Sequence, residues 1–261
     1  SFAAEVLAWV EAWRIPGVVF YATSYTCLKL VTYALFWWLP FFLTEGPYGF
    51  SSAEADRRSS LYDVGVIVGS LIIGLITDAL SKRAGFPVPM RALACISMLI
   101  LALLPLAALR SPTMASSAIN AAIVFSGIFL GGPADATTAA VAVDLGKQPA
   151  LLGQKKKIAT VTGIIDGSGA LGAAVGQYLV AAISESSGWE RVFVMLMVCC
   201  VLAAGCLLPL AVKESKALLD AEGLGGAAAR KKTDEEELRP SSSEGPATEL
   251  VAHSEGSSAA V

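Results

Sequence analysis

Charge is what this chain has least of. Asp, Glu, Lys and Arg make up 16% of its 261 residues, against about 25% in an ordinary globular domain. What charge there is clusters in loops and in the last fifty or so residues, leaving long windows with almost none. A soluble fold is therefore excluded as the organising principle. Histidine is scarcer still. His253, the single one, sits in the polar C-terminal stretch, so a Ser-His-Asp triad or a histidine-based metal site has nothing to be built from. The five cysteines, Cys27, Cys95, Cys199, Cys200 and Cys206, all fall in apolar segments without metal-ligand spacing and read as packed free thiols. No nucleophile–base set is visible, which leaves an enzyme as the least favoured class and implies no cofactor or metal. The net charge of −3 argues against a nucleic-acid partner. Residues 1–15 carry Glu5, Glu11 and Arg14 but neither a basic n-region nor a short apolar h-region, so no signal peptide is expected. The chain starts at Ser1 rather than methionine, as a fragment or a processed product would.

What the chain has in quantity is apolar sequence. Hydrophobic residues make up 55% of it, with a mean hydropathy of +0.64. Six runs are long enough to cross a bilayer, which takes about 20 residues at about 1.5 Å each. They are Gly17–Leu43, Leu61–Leu80, Ala92–Leu109, Ser116–Val143, Ile158–Ile183 and Val192–Val212. The fourth is expected to be interrupted at Gly131-Gly132-Pro133. The reading is an all-α polytopic membrane protein in three parts: a cytosolic lead-in over 1–16, a six-helix membrane domain over 17–212, and a disordered, Ser-, Gly- and Glu-rich cytosolic tail over 213–261. Loop charge orients it. Arg14, Lys82, Arg83, Arg91, Lys147, Lys155, Lys156, Lys157, Lys213 and Lys216 fall on one side, against Arg57, Arg58, Arg110 and Arg191 on the other, which puts both termini in the cytosol.

Lys29 stands near the middle of the first run. A lysine at the bilayer midplane costs roughly 2.5–3.5 kcal/mol on insertion scales, and such residues face a protein interior or a water-filled path. Snorkelling is the bland alternative, but half a bilayer separates this position from the headgroups. A buried cation facing a cavity wants an anion, and phosphate suits a lysine point charge.

Four carboxylates merit comparison. Asp166 lies in a glycine-rich span and reads first as a structural partner for a lysine, then as a proton site or a hydrogen-bond acceptor near substrate. Asp63 reads as an interfacial cap at the start of the second span, Asp135 as a cap for the second half of a broken fourth helix, and Asp144 as interfacial. The string Gly167-Ser168-Gly169-Ala170-Leu171-Gly172 fits G-x-G-x-x-G, but it lies inside an apolar span rather than between a strand and a soluble helix, so a nucleotide site is rejected. With Gly163 and Gly176 it offers small-xxx-small spacing for close or sliding helix contact: Gly163/Gly167, Gly169/Ala173 and Gly172/Gly176. A weak internal repeat pairs Lys29 and Pro40 with Asp135 and Pro133, each a midplane charge with a proline in the first helix of a triplet.

Gly74, Asp78, Lys82 and Arg83 close the second span. They resemble the G-x-x-x-D-x-x-x-[RK] signature of the major facilitator superfamily, in which the aspartate would latch one conformation. Arg14-Ile15-Pro16-Gly17-Val18, Lys29-Leu30-Val31 with Tyr33, and Trp38-Leu39-Pro40 resemble the seventh helix of the sugar-phosphate exchanger (glucose-6-phosphate transporter-like) carriers. Asp63-Val64-Gly65 with Gly69 and Gly74 resembles their eighth helix, and Thr160-Val161-Thr162-Gly163-Ile164-Ile165-Asp166-Gly167-Ser168-Gly169 their eleventh. The likeness runs from about Arg14 to Glu214. It implies the C-terminal six-helix half of a major facilitator fold, in an organophosphate/phosphate antiporter whose two halves each give a basic residue to the phosphate. Lys29 matches the seventh-helix position. The first-helix partner has no counterpart here, and a missing N-terminal six-helix half is the implied partner. The resemblance further implies substrate contacts at Lys29, Tyr33 and Asp166, gating roles for Gly74, Asp78, Lys82, Arg83, Gly163 and Gly167, small anionic substrates such as sugar phosphate and phosphate, and residence in the endoplasmic reticulum or another endomembrane. The rival expectations are a carrier of another organic anion and a membrane sensor that binds without transporting.

Overall fold

Each apolar run folds as one helix. The computed structural model describes residues 9–83, 91–111, 113–140 and 155–237; within these, the side chains of 80–83, 91, 139–140, 155–156, 214 and 217–237 are not described. The helices are α1 (Val18–Glu45), α2 (Ser52–Arg83), α3 (Arg91–Leu109), α4 (Ser116–Ala140), α5 (Lys155–Ser187) and α6 (Trp189–Glu237). No strand occurs among the described residues. Each helix contains a stretch long and apolar enough to span a bilayer, and the protein is an integral, multi-pass membrane protein. The chain divides into two units, Ser1–Ala221 and Glu222–Val261. The site lies in the first.

Local chemistry explains where the helices begin. Gly17 carries φ +98°, a left-handed turn that a side chain would resist, and releases the chain from Pro16 into α1. The second helix starts at Ser52, well before the expected Leu61. The reason is a serine-x-x-glutamate entry: the Ser51 carbonyl accepts the Ala55 N–H at 2.9 Å, and its hydroxyl faces the Glu54 N–H at 3.4 Å. Arg58 then closes back on Glu54 one turn away, at 2.6 Å. A polar helical turn is invisible to a search for apolar runs, so Asp56-Arg57-Arg58 read as loop.

The fourth helix also differs from expectation. It continues through Gly131-Gly132-Pro133 without a break. The glycines serve packing instead. A Cβ on Gly131 would lie 2.7 Å from the Val66 Cα, and one on Gly132 would lie 2.9 Å from the Met98 methyl. The sixth helix runs on to Glu237 rather than ending near Val212. Beyond Lys213 it is rich in Ala, Leu, Glu and Lys, all good helix formers. The rest of the expected tail, 238–261, lies outside the described residues, as do Asp144 and Lys147.

Between membrane helices there is little hydrophobic driving force, so close backbone approach and interhelical hydrogen bonds carry association. Both are present. Gly65 and Gly69 of α2, one turn apart, pack against Gly127, Ile128 and Gly132 of α4, and Gly131 packs against Val66. A Cβ on Gly65 would sit 3.0 Å from the Gly127 Cα, and a Cβ on Gly127 would overlap the Tyr62 carbonyl oxygen. The helices α1 and α5 make the second close pair, with Gly176 against Leu30 and Gly172 against the backbone of Thr26. The sixth helix is pinned to α1 by the Ser24 hydroxyl, which donates to the Ala203 carbonyl at 3.0 Å.

One end of the bundle gathers three links. The Tyr48 hydroxyl, between α1 and α2, lies 3.1 Å from the Leu109 carbonyl and 2.9 Å from that of Ser111. Arg110 approaches Glu190 at 4.0 Å. Phe42 packs on Trp189 and Phe193 with ring centroids 5.2 and 4.8 Å away. The α1–α2, α3–α4 and α5–α6 links therefore share one end, as an up-and-down path through a membrane requires.

Candidate functional site

Lys29 sits half-way along α1, where the helix turns a face toward α5. Tyr25 and Tyr33 lie one turn to either side of it, so all three side chains share that face. The Lys29 Nζ stands 5.3 Å from the Tyr25 ring centroid and 5.0 Å from that of Tyr33. An ammonium between two aromatic faces gains roughly 0.5–2 kcal/mol from each, depending on how far it is desolvated. The Lys29 side chain is 19% exposed.

The facing element is α5. Its Asp166 Oδ1 lies 3.6 Å from Lys29 Nζ, and the Asp166 side chain is 63% exposed. That separation exceeds a hydrogen bond, so the pair is loose. Two features of α5 bring it this close. The Thr26 hydroxyl on α1 lies 3.1 Å from the Ser168 carbonyl, and Gly169 presents bare backbone. A Cβ on Gly169 would come within 2.6 and 2.7 Å of the Tyr25 ring and 3.0 Å of Lys29 Cγ. Any side chain there would push the cation and its tyrosine away from α5.

The structure thus brings Lys29, Tyr33 and Asp166 together. It separates the others. Gly163 and Gly167 have nothing within 4 Å of a built Cβ, and neither does Gly74. The tight contacts on α5 come from Gly169, Gly172 and Gly176 instead. Asp78 is exposed on α2 one turn beyond Gly74. Lys82 and Arg83 fall in the last turn of that helix, with side chains outside those described. Asp63 is not a cap: with α2 starting at Ser52, it lies about three turns inside the helix, on an exposed face. Asp135 does not cap a half-helix, since α4 is unbroken. Its carboxylate accepts the Ser70 hydroxyl across the α2–α4 contact.

One residue of the site escaped the sequence reading, Tyr25, whose signal was its spacing of four from Lys29. Gly169 was expected at a close helix contact, as half of Gly169/Ala173, but not its place against Tyr25 and Lys29, because a run of glycines does not say which of them faces which neighbour.

Among the described residues, this geometry defines a cation site with one weak counter-ion and two aromatic walls, on a bundle of spanning helices. No family model matches the chain. Curated relatives do. Over 216 residues it is 44% identical to the Gallus gallus protein named Sugar phosphate exchanger 3, covering 82% of this chain and 41% of that protein. The Homo sapiens protein of the same name is 42% identical over 213 residues, 80% of this chain and 41% of the relative. An Arabidopsis thaliana protein provisionally named glycerol-3-phosphate transporter 2 is 36% identical over 223 residues, 84% of this chain and 42% of the relative. The chain is similar to one part of these proteins, and it spans about two fifths of the length of the curated relatives it matches.

Proposed function

We propose that the intact protein carries phosphorylated sugars or related organophosphates across a membrane in exchange for inorganic phosphate, with Lys29 holding the phosphate group. The observation that carries this reading is the Lys29 head: a cation deep in an apolar helix, flanked by Tyr25 and Tyr33, and matched among the described residues by one carboxylate, at 3.6 Å and itself largely exposed. Lysine offers three donors and no acceptor, which suits phosphate oxygens. A dianionic phosphate competes well against one loosely held carboxylate. The names of the relatives, exchanger and transporter of phosphorylated compounds, point the same way.

In this reading the chain supplies the C-terminal half of a major facilitator carrier. The remaining chain length of the relatives corresponds to a second, N-terminal wall with the other basic residue. Tyr33 and Asp166 complete the substrate contacts. Gly74, Asp78, Lys82 and Arg83 form the cytosolic gating turn, and the unpacked Gly163 and Gly167 give α5 room to move against that second wall. Both termini are cytosolic, the polar stretch from Lys213 onward is a cytosolic tail, and the membrane is that of the endoplasmic reticulum or another endomembrane.

The test is counterflow. Liposomes holding the intact protein are loaded with phosphate, and uptake of labelled sugar phosphate is followed. Uptake that depends on internal phosphate and is blocked by external phosphate supports the reading. Uptake driven equally well by an internal carboxylate assigns the protein to another organic anion. Saturable binding without flux assigns it to a sensor.

A further inference from the structure

Two turns beyond Lys29 on the same face of α1, a cleft of about 270 Å³ opens toward α2. Phe36, Trp37 and Tyr62 supply its aromatic walls, and Ser59, Ser60 and Asp63 its oxygens. Lys29, Tyr33 and Phe36 follow i, i+4, i+7 spacing, so the cleft and the cation lie along one stripe, about 10 Å apart along the helix. That separation is comparable with the length of an extended hexose phosphate.

The polarity of the cleft is one-sided. The Ser59 and Ser60 hydroxyls donate to the Asp56 carbonyl, each at 2.9 Å, so their oxygens are left to accept. Asp63 is acceptor-only when ionised, and among the described residues none donates to it. Asp63 lies just inside the polar end of the apolar run of α2, on an exposed face. Every polar group here wants a donor, and none would welcome an anion. Exposed Trp37 and Phe36 offer flat apolar faces beside them. Hydroxyl donors on a ring with apolar C–H faces match both features. A phosphate does not.

We propose that this cleft receives the uncharged, hydroxyl-bearing end of the substrate whose phosphate rests on Lys29, with Asp63 as the principal acceptor and Trp37 as the stacking face. The proposal rests on the phosphate reading of Lys29. It also sets a specificity: a substrate with a second phosphate at its far end meets Asp63 and is disfavoured.

Phosphate self-exchange separates the two ideas, because it involves the Lys29 end alone. It is measured in liposomes with labelled phosphate, and a hexose monophosphate is titrated in as competitor. In Asp63→Asn and Trp37→Leu, self-exchange is expected to stay within about twofold of wild type while the competitor weakens about tenfold, the scale of one hydrogen bond to a charged group. A hexose bisphosphate should compete better against Asp63→Asn than against wild type. Wild-type competition by the monophosphate in both variants, with self-exchange intact, overturns the cleft assignment and leaves the Lys29 reading standing. Loss of self-exchange in Asp63→Asn also overturns it, by placing Asp63 in the shared machinery. Absence of phosphate self-exchange in the wild type overturns both.

Discussion

At the scale of single residues, the account rests on how little holds Lys29 in place and how much its position depends on one missing side chain. The Lys29–Asp166 contact is long and its acid is mostly exposed, so its contribution to folding is small, about 0–1 kcal/mol as for exposed pairs in general. Asp166→Asn should accordingly leave the melting temperature in detergent within a degree or two while altering affinity for anions. A large loss of stability would show the pair to be structural instead. Gly169→Ala is expected to do the opposite. Its methyl would collide with the Tyr25 ring and crowd Lys29, an overpacking cost of about 1–3 kcal/mol, visible as a lower melting temperature. Gly163→Ala and Gly167→Ala, where nothing lies within reach, should be neutral or slightly stabilising in the same assay. Lys29 was legible from sequence because a charge in an apolar run is expensive wherever it points. Asp166 was legible as one partner among several. Gly169 was legible as a close-contact glycine but not as the one beside Lys29, since which face of α5 meets α1 depends on tertiary packing.

At the scale of elements, two close helix pairs and one clasp organise the bundle. The α2–α4 contact depends on Gly65, Gly69, Gly127 and Gly131. Gly127→Ala would drive a methyl into the Tyr62 carbonyl oxygen, and thermal unfolding should shift down clearly more than for Gly205→Ala, whose added methyl meets nothing. The clasp is Tyr48, which ties the α1–α2 link to the end of α3 through the Leu109 and Ser111 carbonyls. Burial raises its phenol pKa above the usual 10. A raised folded-state value means that the stabilisation is complete below about pH 10 and is lost as pH climbs through the folded-state value. Tyr48→Phe should cost about 1 kcal/mol near neutral pH and remove this contribution to alkaline destabilisation, as melting curves at pH 8 and pH 11 would show. The spanning segments themselves were readable because a bilayer demands long apolar runs. The polar start of α2 and the extension of α6 were not, because helices outside the bilayer need no such run. Pro133 misled for a related reason: a proline signals a break, yet α4 continues, with the Thr137 hydroxyl on the Pro133 carbonyl at 2.7 Å.

At the scale of the whole molecule, the described residues form six helices able to span a bilayer, of which α1 carries Lys29 and Tyr33 and α5 carries Asp166, with an acceptor-lined cleft two turns away on the same stripe of α1. The relatives over two fifths of whose length this chain runs are named for phosphorylated substrates, and the proposed reading seats the phosphate of such a substrate on Lys29. The account stands or falls on whether Lys29 is where phosphate binds. Uptake of labelled sugar phosphate into phosphate-loaded liposomes should therefore be compared between the intact wild-type protein and Lys29→Ala, with equal amounts of folded protein confirmed by size exclusion and melting temperature. Removal of one charged contact to phosphate in a low-dielectric site predicts a rate below about a tenth of wild type, whereas uptake at the wild-type rate would contradict the account.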